Sequence, residues 1–221
     1  MSVKPLAGIL PMTAFNAIMK FNGIDAGASI LIVEHGISKS YSDLWAAFTP
    51  AEHFVQMYQD EAAFLETLEG FIAGGLLSGD SVIVIGTPLH IHSLDERLVH
   101  HGIDVDEERR NGGYIVPDAQ ETLDKFIVDG LPDEDKFHQT INEVLKQARR
   151  NSRRVRAFGE MVALLWADGY DEATIQLERL WHCLVREEEF TLFCAYPKTG
   201  FVEPSDHTIQ TICETHSRVI N

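Results

Sequence analysis

Five side chains stand where this sequence could do chemistry: Tyr58, His90, Glu160, Met161 and Tyr196. Each closes, or closely follows, an apolar run with the look of a β-strand. Glu160 follows VRAFG and is expensive to bury unpaired, so it needs a partner in any role. It reads either as a polar anchor or acid/base group in a crevice, or as a helix N-terminal carboxylate among backbone N–H groups. Tyr58 and Tyr196 carry apolar rings with polar tips, which suits the rim of an apolar ligand pocket or plain strand-end packing. Met161 fits a soft, adaptable pocket or a core gap. Together the five are expected to line a small-molecule site, with Glu160 as its polar anchor and no cofactor.

Other chemistries find less support. His90-x-His92 and His100-His101 suggest metal ligands, but on a helix at 100° per residue the first pair points about 200° apart. No H-E-x-x-H pattern or Cys/His quartet is present, so no metal is expected. His182 and Cys183 are helix neighbours that do not face each other, which disfavours a local Cys/His nucleophile, although Cys194 could meet a distant histidine in the fold. No G-x-S-x-G elbow is present. His53 falls at the opening of its strand, away from the carboxyl ends, and reads as structural. The arginines of Arg149-Arg150-Asn151-Ser152-Arg153-Arg154 read as a solvated helix end.

The elements that must position these residues start from the stretch His53–Pro88. Phe54–Tyr58 reads as a buried strand. Asp60 stands at a helix N-cap, before Phe64, Leu68, Phe71, Ile72 and Leu76 at helical spacing. Gly79-Asp80 ends that helix, and SVIVIG over 81–86 is a β-branched run of the kind buried on both faces of a parallel sheet. This is a strand–helix–strand crossover. In a nucleotide-binding version its first turn would be glycine-rich and end in Lys-Ser/Thr. Tyr58-Gln59-Asp60-Glu61 has no glycine and no lysine, and its two carboxylates would repel a phosphate.

Further along, the pattern predicts helices over 89–101, 119–128, 137–148 and 161–166. Asp171 is placed as the cap of a long helix through Leu184, and Ser205 or Asp206 as the cap of a last one. Strands are expected over 114–116, 155–159 and 190–196. The loop 129–135 is rich in acids. Such alternation gives a three-layer α/β fold, a mostly parallel sheet with helices on both faces. In such sheets the ligand crevice lies beyond the strand carboxyl ends, where Tyr58, His90, Glu160, Met161 and Tyr196 fall. Residues 1–50 are read as an N-terminal extension, with a helix over 12–21, a strand over 29–33 and a helical turn over 42–48. It would pack on the main domain, 51–221, or on a second subunit in a homodimer.

Composition narrows the partners. The 221 residues carry 18 Lys+Arg against 34 Asp+Glu, a net charge of −16, which repels nucleic-acid backbones and anionic membranes. Cys183, Cys194 and Cys213 make no disulfide framework and are expected to be buried, inert thiols. No window is apolar enough to span a membrane. A cytoplasmic protein with no direct nucleic-acid or membrane contact is expected.

The ordered set of pieces resembles a known family. His53…Tyr58 with its following helix, the Gly79-Asp80 turn into Val82–Gly86, Gly159-Glu160-Met161, Cys194-Ala195-Tyr196-Pro197 and Cys213-x-x-His216 together resemble the MEDS domain, the methanogen/methylotroph sensory domain, over about residues 50–220. The resemblance implies a RecA/KaiC-like fold that has lost its nucleotide-binding loop. It also implies a non-enzymatic sensor of small, hydrocarbon-like organic ligands in signal transduction. Members are often fused to histidine-kinase or DNA-binding modules. At this length the chain is expected to reach a histidine kinase or transcription regulator in trans. Two other classes stay open: a nucleotide-binding RecA-like protein with an unconventional phosphate site, and an interaction scaffold with a closed pocket.

Overall fold

The strands of the central sheet run in the order β3-β2-β6-β7-β1-β8, and every pairing in it is parallel. The structure, a computed structural model, describes residues 51–151, 153–198 and 206–220. The expectations for 12–21, 29–33 and 42–48 lie outside the described residues. In chain order the elements are β1 (His53–Tyr58), α1 (Glu61–Leu77), β2 (Ser81–Ile85), α2 (Pro88–His100), α3 (Val105–Arg110), β3 (Tyr114–Ile115) and α4 (Ala119–Leu123). There follow β4 (Ile127–Val128), β5 (Leu131–Pro132), α5 (Glu134–Ala148), β6 (Val155–Gly159), α6 (Met161–Ala167), α7 (Asp171–Glu188), β7 (Thr191–Pro197), α8 (Asp206–Thr215) and β8 (Arg218–Ile220).

Strand alternation splits the core into two layers. Phe54, Val82, Val84, Phe158, Phe193 and Ala195 face α1–α3, while Val55, Met57, Ile83, Ile85, Ala157, Leu192 and Cys194 face α5–α8. On the first face Phe54 stacks on Phe193 at 4.9 Å and meets Phe71 of α1 edge-on at 5.3 Å. Helix α1 comes close to the sheet at Gly75, where an added Cβ would lie 2.8 Å from Val82 Cγ2 and 3.0 Å from Arg156 Cδ. That space holds a buried ion pair. Asp80 Oδ2 accepts from Arg156 Nε at 2.7 Å, and its Oδ1 from Arg154 Nε at 3.0 Å. Asp60 caps α1 and Thr87 caps α2, with Pro88 in the first turn.

The structure corrects several expectations. Helix α4 stops at Leu123, because Asp129 and Gly130 both adopt positive φ (49° and 84°) and turn the chain into the β4–β5 hairpin. Asp171 lies inside α7, whose N-cap is Tyr170, and its Oδ2 accepts from Thr208 of α8 at 3.2 Å. Cys183 is exposed. The arginine run is paired rather than merely solvated: Arg149 binds Glu188, Arg154 binds Asp80, and Arg153 lies 3.9 Å from Glu108. Helix α3 and strand β8 have no counterpart in the sequence reading.

Candidate functional site

At the carboxyl ends of β1, β2 and β6 the turns bring Tyr58, Thr87, His90 and Glu160 together. Gly159 ends β6, and Glu160 begins the turn into α6 without capping it through its side chain. Its carboxylate instead reaches sideways to β2. Glu160 Oε2 accepts from the Thr87 N–H at 2.6 Å, and Oε1 accepts from His90 Nδ1 at 2.6 Å and the Thr87 hydroxyl at 3.4 Å. His90 Nε2 faces Glu61 Oε1 at 3.3 Å. An imidazole between two carboxylates must donate from both nitrogens, so it carries a proton. Burial works against that charge, but the Glu160 and Glu61 carboxylates outweigh it and raise the His90 pKa above its ordinary value. Tyr58 stacks on Phe64 at 4.5 Å, and Phe64 meets His90 edge-on at 5.3 Å. Burial, then Glu160 and Glu61, push the Tyr58 hydroxyl up to about 12, so it stays neutral.

The β1–α1 turn shows what such a crevice can hold. Asp60 Oδ1 accepts from the Ala62 N–H at 2.9 Å, so the chain's own carboxylate takes up the helix N-terminus. Glu61 stands beside it and Glu160 completes the wall, leaving one histidine cation against three acids. A phosphate would meet repulsion here; an uncharged or cationic ligand would not.

Met161 and Tyr196 lie apart from this group. Both are fully buried in the layer against α5–α8, where Tyr196 meets Trp166 edge-on at 5.3 Å. The Tyr196 hydroxyl donates to Glu178 Oε1 of α7. His92 points to solvent, as its spacing from His90 predicts.

Glu178 opens a second constellation. His53, Glu178, Cys194 and His216 come from β1, α7, β7 and the end of α8, and one donor atom of each lies within 4.8 Å of all the others. The parallel pairing of β8 with β1 makes this possible: Ser217 donates its N–H to the His53 carbonyl at 2.6 Å, which seats His216 against His53 with ring centroids 3.9 Å apart. Burial pushes the Glu178 carboxyl up to about 8, against the pull of the Tyr196 hydrogen bond. Burial, and then neighbouring histidine, bring His216 down to about 4, and His53 is lowered for the same reasons.

A family model for MEDS, the MEthanogen/methylotroph, DcmR Sensory domain, matches residues 52–217. The chain belongs to the MEDS family. No curated protein sequence matches it. Among solved structures it resembles a phage-type ATPase domain only in the sense of shape: the TM-score is 0.51 at 9% identity, over 93% of this chain and 80% of that one. At that identity the likeness shows the fold alone, and the fold is that of RecA-like ATPase domains. Of the buried quartet, His53, Cys194 and His216 lie within the pieces that carry the MEDS resemblance. Glu178 had no local signal, being one acid among many on an amphipathic helix.

Proposed function

We propose that this chain is a non-enzymatic sensory domain that binds a small organic ligand at the strand carboxyl ends. Tyr58, His90 and Glu160 line the ligand, with Glu160 as the polar anchor. The observation that carries this reading is the turn from β1 into α1. Where a RecA-like ATPase needs backbone N–H groups and a lysine for phosphate, this chain places Asp60 on the helix N-terminus with Glu61 beside it. Membership of a sensory-domain family supports the same role.

Binding would be read out through the His90–Glu160 bond, which ties α2 to the end of β6. A ligand that engages Glu160 competes for that bond and shifts α2 relative to the sheet. A kinase or transcription regulator in trans would receive the change.

The test is a thermal-shift screen of the full chain against short-chain alcohols, amines and alkanes, with ATP and GTP alongside. A ligand at 100 times its dissociation constant stabilises by roughly 2.7 kcal/mol. For a chain of this size that is a rise of about 5–10 °C. The expected result is a rise with a small organic that Glu160→Gln weakens. A rise with nucleotides alone would replace sensing with nucleotide binding.

A further inference from the structure

We infer that His53, Glu178, Cys194 and His216 form a tetrahedral site for a divalent transition-metal ion of the zinc type. The inference is independent of any ligand at the strand ends. It starts from a conflict of lone pairs. His216 Nδ1 lies 2.6 Å from the Ile212 carbonyl, which can only accept, so the ring's proton is committed there. In the neutral ring Nε2 therefore presents a lone pair. It points at Glu178 Oε2, 3.4 Å away, another lone-pair donor. His53 Nε2 stands 3.4 Å from the same oxygen and 3.3 Å from Cys194 Sγ. Among the described residues neither His216 Nε2 nor Glu178 Oε2 has a hydrogen-bond partner, and all four side chains are buried. Buried polar atoms without partners call for an explanation. A cation at the centre turns mutual repulsion into shared coordination.

The distances and the chemistry agree with that ion. Zinc bonds of about 2.0–2.1 Å to nitrogen and oxygen and 2.3 Å to sulfur place tetrahedral donors about 3.3–3.6 Å apart. The three separations above fall at that value, and the widest pair, within 4.8 Å, closes on binding. Two imidazoles, one thiolate and one carboxylate are a borderline donor set that suits zinc over calcium or magnesium. A dication with one thiolate and one carboxylate has no net charge, so its burial leaves no charge uncompensated. Outer partners are in place as well: the Ile212 carbonyl orients His216, and the Tyr196 hydroxyl holds the other Glu178 oxygen. With four protein ligands the site is closed, and it joins β1, β7, α7 and the α8–β8 turn.

The experiment uses the full chain, purified without a histidine tag and kept reduced. Its metal content is measured, and Co2+ is then titrated anaerobically into chelator-treated protein. The expected result is a single zinc-type ion per chain. Bound Co2+ should give the intense visible bands of tetrahedral coordination with a thiolate charge-transfer band in the near ultraviolet. Cys194→Ser should lose the charge-transfer band. Should that variant fail to fold, the spectrum of the unaltered chain decides by itself. Protein that is isolated metal-free, and that gives neither band with Co2+, overturns the site.

Discussion

His90 Nδ1 lies 2.6 Å from Glu160 Oε1, joining residues seventy positions apart at the end of adjacent strands. Glu61 faces the other ring nitrogen, and the Tyr58 hydroxyl, neutral in this range, is the remaining titratable group whose charge couples to the pair. A base whose folded pKa lies above its unfolded value near 6.5 stabilises fully below that value. The contribution is lost as pH rises through the folded value. His90 is therefore expected to titrate above 6.5 by NMR. His90→Gln should cost about 1–2 kcal/mol below pH 6.5 and progressively less at higher pH. Titration of His90 below 6.5 would contradict the imidazolium.

Asp80 and Arg156 supply a prediction about stability rather than function. Both are buried, and Asp80 also accepts from the more exposed Arg154. Asp80→Asn leaves the Arg156 guanidinium buried without its counter-charge. The expected cost is about 3–5 kcal/mol in chemical denaturation. Arg154→Gln, at a largely solvated position, should cost well under about 1 kcal/mol. Equal costs would contradict the assignment.

The Tyr196 hydroxyl is the sole described donor to Glu178 Oε1. Tyr196→Phe keeps the ring against Trp166 and removes only that bond, at a cost of about 1–3 kcal/mol. Metal affinity should fall about 10–100-fold, the usual effect of losing an outer partner. Ligand binding at Glu160 should stay unchanged, because Tyr196 faces the opposite layer.

Removing the metal should loosen the α8–β8 end first. A site saturated a thousandfold above its dissociation constant contributes about 4 kcal/mol, so chelation should lower the melting temperature by roughly 10 °C. Hydrogen exchange is expected to rise around His216–Val219. An unchanged melting temperature after complete chelation would deny the ion any role in holding the fold.

Much of the fold was legible because strand and helix periods are written locally. SVIVIG, VRAFG and FTLFCAY read as strands, and Asp60 and Thr87-Pro88 mark helix starts where α1 and α2 begin. The β4–β5 hairpin was not legible, since its strands are two residues each and its turn depends on positive φ at Asp129. Strand β8 has three residues and forms only because β1 offers an edge. For the site, Tyr58, His90 and Glu160 could be placed from strand ends alone. The side on which Tyr196 falls is set by strand pleat, and its partner Glu178 is reached only once α7 packs on β7. The quartet stayed hidden for the same reason: its members come from four elements, and spacing along the chain says nothing of their approach.

The central claim is that the crevice beside Glu160 takes a small organic molecule in place of a nucleotide. Its most direct measurement is an NMR titration of the His90 ring and the Thr87 amide, with Mg-ATP in one series and the best organic from the thermal screen in the other. Both resonances should shift saturably with the organic and hold still with Mg-ATP, because Asp60, Glu61 and Glu160 exclude phosphate. Saturable shifts with Mg-ATP, and none with any organic, would contradict it.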